Sequence, residues 1–346
     1  MTLPEAIARV VDGRDLAAEE MAEAMGTVLA GEATSAQIAA FLVALRMKGE
    51  TVDELTAAAR ALRGAAVPIP AVPPDAVDTC GTGGDGASTI NISTAAGLVA
   101  AAAGVPVAKH GNRAISGTVG GADVLEALGV TLSVPPAALG ACLRTVGFAF
   151  LFAPAFHPAL RHASGPRREI GVRTVFNLLG PLCNPAGVRR QVVGVFARRW
   201  LEPVATVLLR LGAERAWVVH GAGGLDEIAL DGETAVCEVA NGALRAFRVR
   251  AADAGLGGGT TGDLRVATVA EAAARMQAIL AGERGPARDV VCLNAAAVLV
   301  VAGRAADLRD GVERAAATID SGQARGLLER LVAFTATHAA PAAGTA

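Results

Sequence analysis

Residues 67–77, VPIPAVPPDAV, hold four prolines in one short stretch, and this break constrains the fold of the 346-residue chain more than any other feature. Each proline fixes φ, removes a backbone donor and biases the residue before it away from the helical region, so no helix continues through. The stretch reads as a linker between two units. From Pro4 to about Gly64 apolar residues such as Ile38, Phe41, Leu42 and Leu45 recur at spacings of three and four, the mark of helices with one buried face. Thr51-Val52-Asp53-Glu54 is a capping-box sequence expected to open one helix, and Gly64 is expected to close it in the left-handed conformation. The expectation is a helical domain over 1–66 and an α/β domain over 67–346.

Beyond the linker, short Val- and Ala-rich runs (Val105 to Ala108, Gln191 to Phe196, Ala216 to Val219, Thr234 to Val239) alternate with helical stretches. That alternation predicts a mostly parallel central sheet. The fold class is thus α/β, with a small all-helical domain ahead of a larger sheet domain. HPALRHASGPRR, from His157 to Arg168, predicts a polar helix that packs back on the N-terminal helices, so a segment near 157–180 is expected to join the helical domain. FNLLGPLCNP, residues 176–185, with two Gly/Pro turn signals, is expected to return the chain to the sheet. No internal repeat is evident, and the Ala-, Thr- and Pro-rich tail from about Thr335 is expected to fray.

Composition narrows the class. A hydrophobic fraction of 52% supports a substantial core, while 31 basic against 33 acidic residues and no basic block argue against general nucleic-acid binding. The five cysteines (Cys80, Cys142, Cys183, Cys237, Cys292) form no CxxC pair, which argues against a zinc site or disulfide scaffold and fits a cytoplasmic protein. The N-terminus, with acidic residues where a signal peptide needs a basic segment, does not read as an export signal. The uncharged runs Gly86 to Ala108 and Val290 to Gly303 read as buried elements rather than membrane spans: polar residues and Pro106 interrupt the first, and the second is short of the ~20 residues a span requires.

The chemistry concentrates in Asp78 to Ser93, DTCGTGGDGASTINIS, and in Lys109-His110-Gly111-Asn112. Gly81, Gly83, Gly84 and Gly86 are expected to take positive φ and turn backbone N–H groups into one anion-binding concavity. A helix over Thr94 to Ala103 would aim its N-terminal amides at the same place. Thr82, Thr89, Asn91, Ser93, Thr94 and Lys109 supply further donors. Glycine-rich loops also occur at Gly221 to Gly224 and Gly255 to Gly262, but the latter lacks such company and reads as a flexible surface turn. GTGGDG is neither a Walker A loop, since no Lys-Ser/Thr pair follows, nor a dinucleotide fingerprint.

Asp226-Glu227, after the strand-like Trp217 to Val219, is an adjacent carboxylate pair. Alone it reads as a solvated loop pair; beside a pyrophosphate cradle it reads as a Mg²⁺ site. Adjacent side chains in extended backbone diverge, so the two suit different ions, or one ion and a ligand hydroxyl, better than joint chelation. Arg167, Arg168 and Arg173 can fork a carboxylate or phosphate, or, for Arg168 and Arg173, pair with Glu169 on a helix surface. His110 is a candidate substrate contact; His157 and His162 read as structural. No Ser-His-Asp or Cys-His set is evident.

DTCGTGGD, NIST, KHGN and LDE in this order, with ADVLEALGV at 122–130, FLFAP at 150–154 and PRREIGVRTVFNLLGPLCNPA at 166–186, resemble the anthranilate phosphoribosyltransferases of tryptophan biosynthesis, from the N-terminal helices to about residue 330. The resemblance implies Mg²⁺-dependent transfer of a phosphoribosyl group from phosphoribosyl pyrophosphate to the amino nitrogen of anthranilate. It also implies a fold related to nucleoside phosphorylases and a homodimer formed through the helical domain. By position it assigns Gly81, Gly84, Asp85, Thr89, Asn91, Ser93, Thr94, Lys109, His110, Gly111, Asn112, Ser116 and Gly121 to phosphoribosyl pyrophosphate. Gly81, Asn112 and Arg167 go to anthranilate, and Ser93, Asp226 and Glu227 to the metal.

The chain departs from the family where a serine pair usually follows KHGN: it has Ser116-Gly117, then Gly120-Gly121. Backbone amides can replace the lost hydroxyls, so altered affinity rather than altered chemistry is expected. Two rivals are a pyrimidine nucleoside phosphorylase of the same fold and an inactive nucleic-acid-binding relative. The acidic pair and Asn112 disfavour the first; the intact GTGGD loop and the absence of a basic surface disfavour the second.

Overall fold

The computed structural model describes residues 1–114 and 119–340; Ser116 and Gly117 lie outside the described residues. Four helices come first, α1 (Leu3–Val11), α2 (Ala18–Ala30), α3 (Ser35–Lys48) and α4 (Val52–Gly64). Thr2, Thr34 and Thr51 each cap a helix, accepting from the third helical residue's N–H, while Glu5, Gln37 and Glu54 accept from the cap's own N–H. Glu54 does more than cap. Fully buried, it also accepts from the Leu16 N–H at 2.9 Å and from Lys48 Nζ at 2.9 Å, so one carboxylate ties three segments together. Gly64 does not close α4 in the left-handed conformation: it stays helical, and Ala65 follows with φ −91°. The helix stops because Pro68 is near and the Val67 N–H is taken by the Phe156 carbonyl at 2.8 Å.

The second unit continues with β1 (Val77–Gly81), α5 (Ile92–Ala102), β2 (Val107–Gly111), α6 (Gly121–Ala127), α7 (Pro136–Thr145), β3 (Phe148–Phe152), α8 (Ala153–Phe156), α9 (Arg161–Ile170) and α10 (Val175–Leu182). It ends with β4 (Arg190–Gly194), α11 (Leu201–Arg210), β5 (Arg215–His220), β6 (Thr234–Ala240), β7 (Ala243–Val249), α12 (Val269–Leu280), α13 (Pro286–Val301), α14 (Leu308–Asp320) and α15 (Gln323–Thr337). The sheet order is β3-β2-β1-β4-β5-β6-β7, parallel through β5, with β6 and β7 antiparallel. Strands β1, β3 and β7 extend the set anticipated from sequence.

Side chains alternate between two cores across this sheet, as strand geometry requires. Val192, Trp217 and Val219 face the core built with α5 and α13, and Val193, Ala216 and Val218 face the core shared with α11 and the N-terminal helices. α9 packs on α3 and α2, as the polar helix near 157–168 was expected to do, and α10 packs on α4. Gly180-Pro181 is not a turn but the last turn of α10, because its apolar residues Leu178, Leu179 and Leu182 are all buried. The tail also stays ordered longer than expected: α15 runs to Thr337, and the Ala340 N–H donates to the Ser133 carbonyl at 2.7 Å.

The chain builds β1, β2 and β3 to one side, then returns to place β4 on the other side of β1. The order of winding reverses at the β1/β4 pair, and in such sheets a ligand crevice lies outside the strands' carboxyl ends there. Gly81 and Gly194, the last residues of those strands, are direct neighbours.

Candidate active site

A cavity of about 370 Å³ opens at that switch point. Gly81, Gly84, Asp85, Thr89, Asn91, Ser93, Thr94, Lys109, His110, Gly111, Asn112, Gly121, Arg167, Asp226 and Glu227 all line it. The structure therefore brings together every described residue that the family resemblance assigned to substrate or metal. It leaves Arg168, Arg173 and His162 outside. His162 lies over Gly31 of the helical unit. Arg173 donates to the Gly84 carbonyl at 2.6 Å, stacks over Phe196 at 4.6 Å and has its own carbonyl held by Arg46 at 2.8 Å. It clasps the glycine loop from behind instead of forking an anion.

The loop is shaped by positive φ at Gly83 (+64°), Gly84 (+78°) and Gly86 (+74°) and at Ser88 (+51°). Gly81 is required for another reason, since a Cβ there would run into the Asp226 carboxylate. Residues Ser88 to Ile90 are pinned by the segment after the Gly255 loop: the Val266 N–H donates to the Ser88 carbonyl at 3.0 Å, and the Ile90 N–H to the Leu264 carbonyl at 2.9 Å. The Gly255 to Gly262 stretch itself stays outside the cavity lining.

Asp226 and Glu227 diverge, as adjacent residues in open backbone should. An Asp226 oxygen accepts from the Gly83 N–H at 2.7 Å, and a Glu227 oxygen accepts from the Ser93 N–H at 3.1 Å, at the start of α5. Burial first, then the neighbouring charge of Asp85, raises the Asp226 carboxyl well above the carboxylate range; burial and Asp226 do the same to Glu227. The charges of Asp85, Asp226 and Glu227 oppose one another across this corner, which an oxygen-seeking divalent cation would relieve; among the described residues no three His, Cys, Asp or Glu side chains are gathered closely enough to hold a metal as they stand. Lys109, 4% exposed, reaches the Thr79 carbonyl at 2.5 Å and Ser93 Oγ at 3.1 Å, using two of its three N–H bonds.

Two kinds of residue in this site escaped the sequence reading. Gly194 and Gly221 leave bare backbone on which the Asp226-Glu227 segment rests, and a Cβ on either would strike a main-chain carbonyl of that pair. Asn294, 2% exposed in α13, accepts from the Ile228 N–H and donates to the Ile228 carbonyl, each at 3.0 Å, so it brackets the peptide next to Glu227. Its signal was there, as the one amide in the apolar run 290–303.

Part of the cavity lining is of different chemistry. Leu62, Phe150, Ala153, Leu160, Phe176, Pro181 and Cys183 make it apolar, with His157 among them. The Arg167 guanidinium lies 5.0 Å over the Phe176 ring, and among the described residues no carboxylate pairs with it. His110 Nδ1 bonds the Gly180 carbonyl at 3.2 Å and His157 Nε2 the Cys183 carbonyl at 3.0 Å. A carbonyl only accepts, so these nitrogens carry protons; burial lowers the pKa of both rings and so favours their neutral forms. Burial, then His157, pushes the His110 pKa down to about 3.

A helical bundle and an α/β domain with a phosphate loop, an acidic pair and an apolar arm at the switch point define a class, the glycosyl transferases built from those two domains. The model for the helical bundle domain of this glycosyl transferase family matches residues 4–66, and the model for its a/b domain residues 73–325. Anthranilate phosphoribosyltransferase from Moorella thermoacetica is 53% identical over 96% of this chain and 98% of its own, and that from Afipia carboxidovorans 51% identical over 95% and 97%. Among solved structures, anthranilate phosphoribosyltransferase from Thermus thermophilus superposes with a TM-score of 0.90 at 47% identity, covering 96% of this chain and 99% of that one. The Saccharomyces cerevisiae enzyme in complex with PRPP and Mg gives 0.89 at 25% identity, covering 97% and 98%. This chain belongs to the anthranilate phosphoribosyltransferase family.

Proposed function

We propose that the protein transfers the phosphoribosyl group of phosphoribosyl pyrophosphate to the amino nitrogen of anthranilate, releasing pyrophosphate, as a step of tryptophan biosynthesis. The observation that carries this is the mixed lining of one cavity, read as two arms: an anion-binding arm with an acidic pair, and an apolar arm with one half-buried, carboxylate-free arginine. The first arm suits a metal-bound diphosphate, the second a flat aryl carboxylate.

In this reading Gly81, Gly84, Asp85, Thr89, Asn91, Ser93, Thr94, Lys109, His110, Gly111, Asn112 and Gly121 hold phosphoribosyl pyrophosphate. Ser93, Asp226 and Glu227 hold Mg²⁺, which when bound offsets negative charge on the pyrophosphate. Lys109 and the loop amides meet the charge that gathers on the departing oxygen. Arg167 takes the anthranilate carboxylate in two-point geometry and Asn112 its polar edge, beside Gly81, so the amine is presented to the anomeric carbon and positioning supplies much of the rate. An arylamine has a free lone pair, and the neutral imidazoles fit a site that needs no strong base. Loss of anthranilate fluorescence with phosphoribosyl pyrophosphate and Mg²⁺ tests the assignment; no loss beyond a metal-free control overturns it.

The reading includes a homodimer through the helical domain, supported by large apolar side chains exposed there and just after α9: Met47 at 82%, Val11 at 68% and Val172 at 48%. It includes a cytoplasmic location, which goes with five buried, unpaired cysteines. Among the described residues no helix is long and apolar enough to cross a membrane.

A further inference from the structure

Strands β1 and β2 are neighbours in the sheet, yet they share a single register pair, Val77 with Val107, whereas β1 with β4 and β2 with β3 each share five. Past that pair the ladder stops although the strands stay side by side, and their facing backbone groups are satisfied by side chains. Lys109 Nζ donates to the Thr79 carbonyl, Asn184 Nδ2 to the Ala108 carbonyl at 2.8 Å, and the His110 N–H to Asp78 Oδ1 at 3.1 Å. The end of α10 is held against these strands by side chains, with its Gly180 carbonyl bonded to His110 Nδ1. The other oxygen of Asp78 accepts from Gln191 Nε2 at 3.3 Å, and the same Nε2 donates to the Pro181 carbonyl at 3.0 Å.

Asp78, Gln191 and Asn184 are 0%, 1% and 3% exposed, and none of them lines the cavity. A carboxylate on β1, an amide on β4 and a third buried amide in the connection between α10 and β4 are costly unless hydrogen-bonded. Their bonds reach the His110 N–H and the Pro181 carbonyl, both on residues that line the cavity, and the carbonyl of Ala108, two positions before His110.

We infer that Asp78 and Gln191 are positioning residues that set the acceptor wall, Gly180-Pro181, against His110 where the β1–β2 ladder is interrupted. The inference rests on the proposed reading of the apolar arm as the anthranilate pocket. Gln191 is the discriminating member, because its Nε2 uses both hydrogens, one on the strand that leads to the phosphate loop and one on the acceptor wall. It touches neither Lys109 nor the acidic pair.

The test is steady-state kinetics on Gln191→Met, which keeps the length and loses both bonds, and on Gln191→Glu, which keeps the shape and replaces the donor by an acceptor. Expected is a rise in KM for anthranilate of about tenfold, the size of one lost buried hydrogen bond, with KM for phosphoribosyl pyrophosphate within about twofold of wild type. A merely structural role would lower the active fraction and leave both KM values in place. Equal shifts in both KM values, no shift in either, or failure of both variants to fold would overturn the positioning role. Wild-type protein that does not consume anthranilate would instead sink the functional reading itself, so the two failures are distinguishable.

Discussion

At the scale of residues, the site depends on atoms that are missing as much as on those present. Asp226 and Glu227 reach the glycine loop and α5 only because Gly81, Gly194 and Gly221 leave no Cβ in their path. Gly194→Ala is expected to push the Asp226 backbone aside, costing about 1–3 kcal/mol of stability as overpacking does and lowering turnover at least about tenfold. Thermal unfolding and kcat on the same preparation check both. Asp226→Asn with Glu227→Gln should abolish Mg²⁺-dependent turnover with the fold intact by circular dichroism; undiminished activity would remove the pair from the metal site. His110 gives a pH prediction. Its folded pKa is depressed to about 3 from 6.5, so between those values the unfolded chain binds a proton that the folded chain refuses. Stability therefore falls as pH drops through that window, by up to ~1.4 kcal/mol per unit from this group. Denaturant titrations across it should show a shallower slope for His110→Gln, and equal slopes would mean the folded imidazole is charged.

At the scale of elements, the sequence was most legible where one local signal suffices. The Thr51 capping box, the four-proline break and the helix near Thr94 to Ala103 each rest on neighbours within a few positions, and each lies close to where it was read: α5 covers Ile92–Ala102. Gly64 and Gly180-Pro181 were misread because packing outweighed local preference, at Val67 against Phe156 in one case and through buried leucines in the other. Arg173 belongs here as well. Its charge suggested an anion fork or a surface pair with Glu169, and it is the carbonyl of Gly84, 89 positions away in the chain, that takes its hydrogen bond. Arg173→Ala should loosen the loop and raise KM for phosphoribosyl pyrophosphate about three- to tenfold, an ordinary hydrogen bond's worth for this exposed and screened side chain, with KM for anthranilate unmoved; kinetics with each substrate varied in turn decides it.

At the scale of the whole molecule, the helical unit and the sheet domain share one core, with α4 and α10 packed together and α9 laid on α3. Arg46 on α3 holds the Arg173 carbonyl, so the helical unit also supports the glycine loop at one remove. If this unit forms the dimer face, Met47→Lys should shift the protein toward monomer in light scattering coupled to gel filtration, and an unchanged mass would move the interface elsewhere.

What the sequence alone determined was chemistry that comes as contiguous words: a glycine loop after a strand, a lysine at the end of another, an acidic pair, and the order in which they recur. Those words carry their meaning because backbone freedom, donors and charge belong to the residues themselves. Only the tertiary structure decided what holds them: Gly194, Asn294, Asp78 and Gln191 act through partners 10 to 113 positions away. A buried amide in a strand looks like any other polar residue until the fold shows which carbonyl it faces, since its role is set by who packs against it and not by its neighbours in the chain.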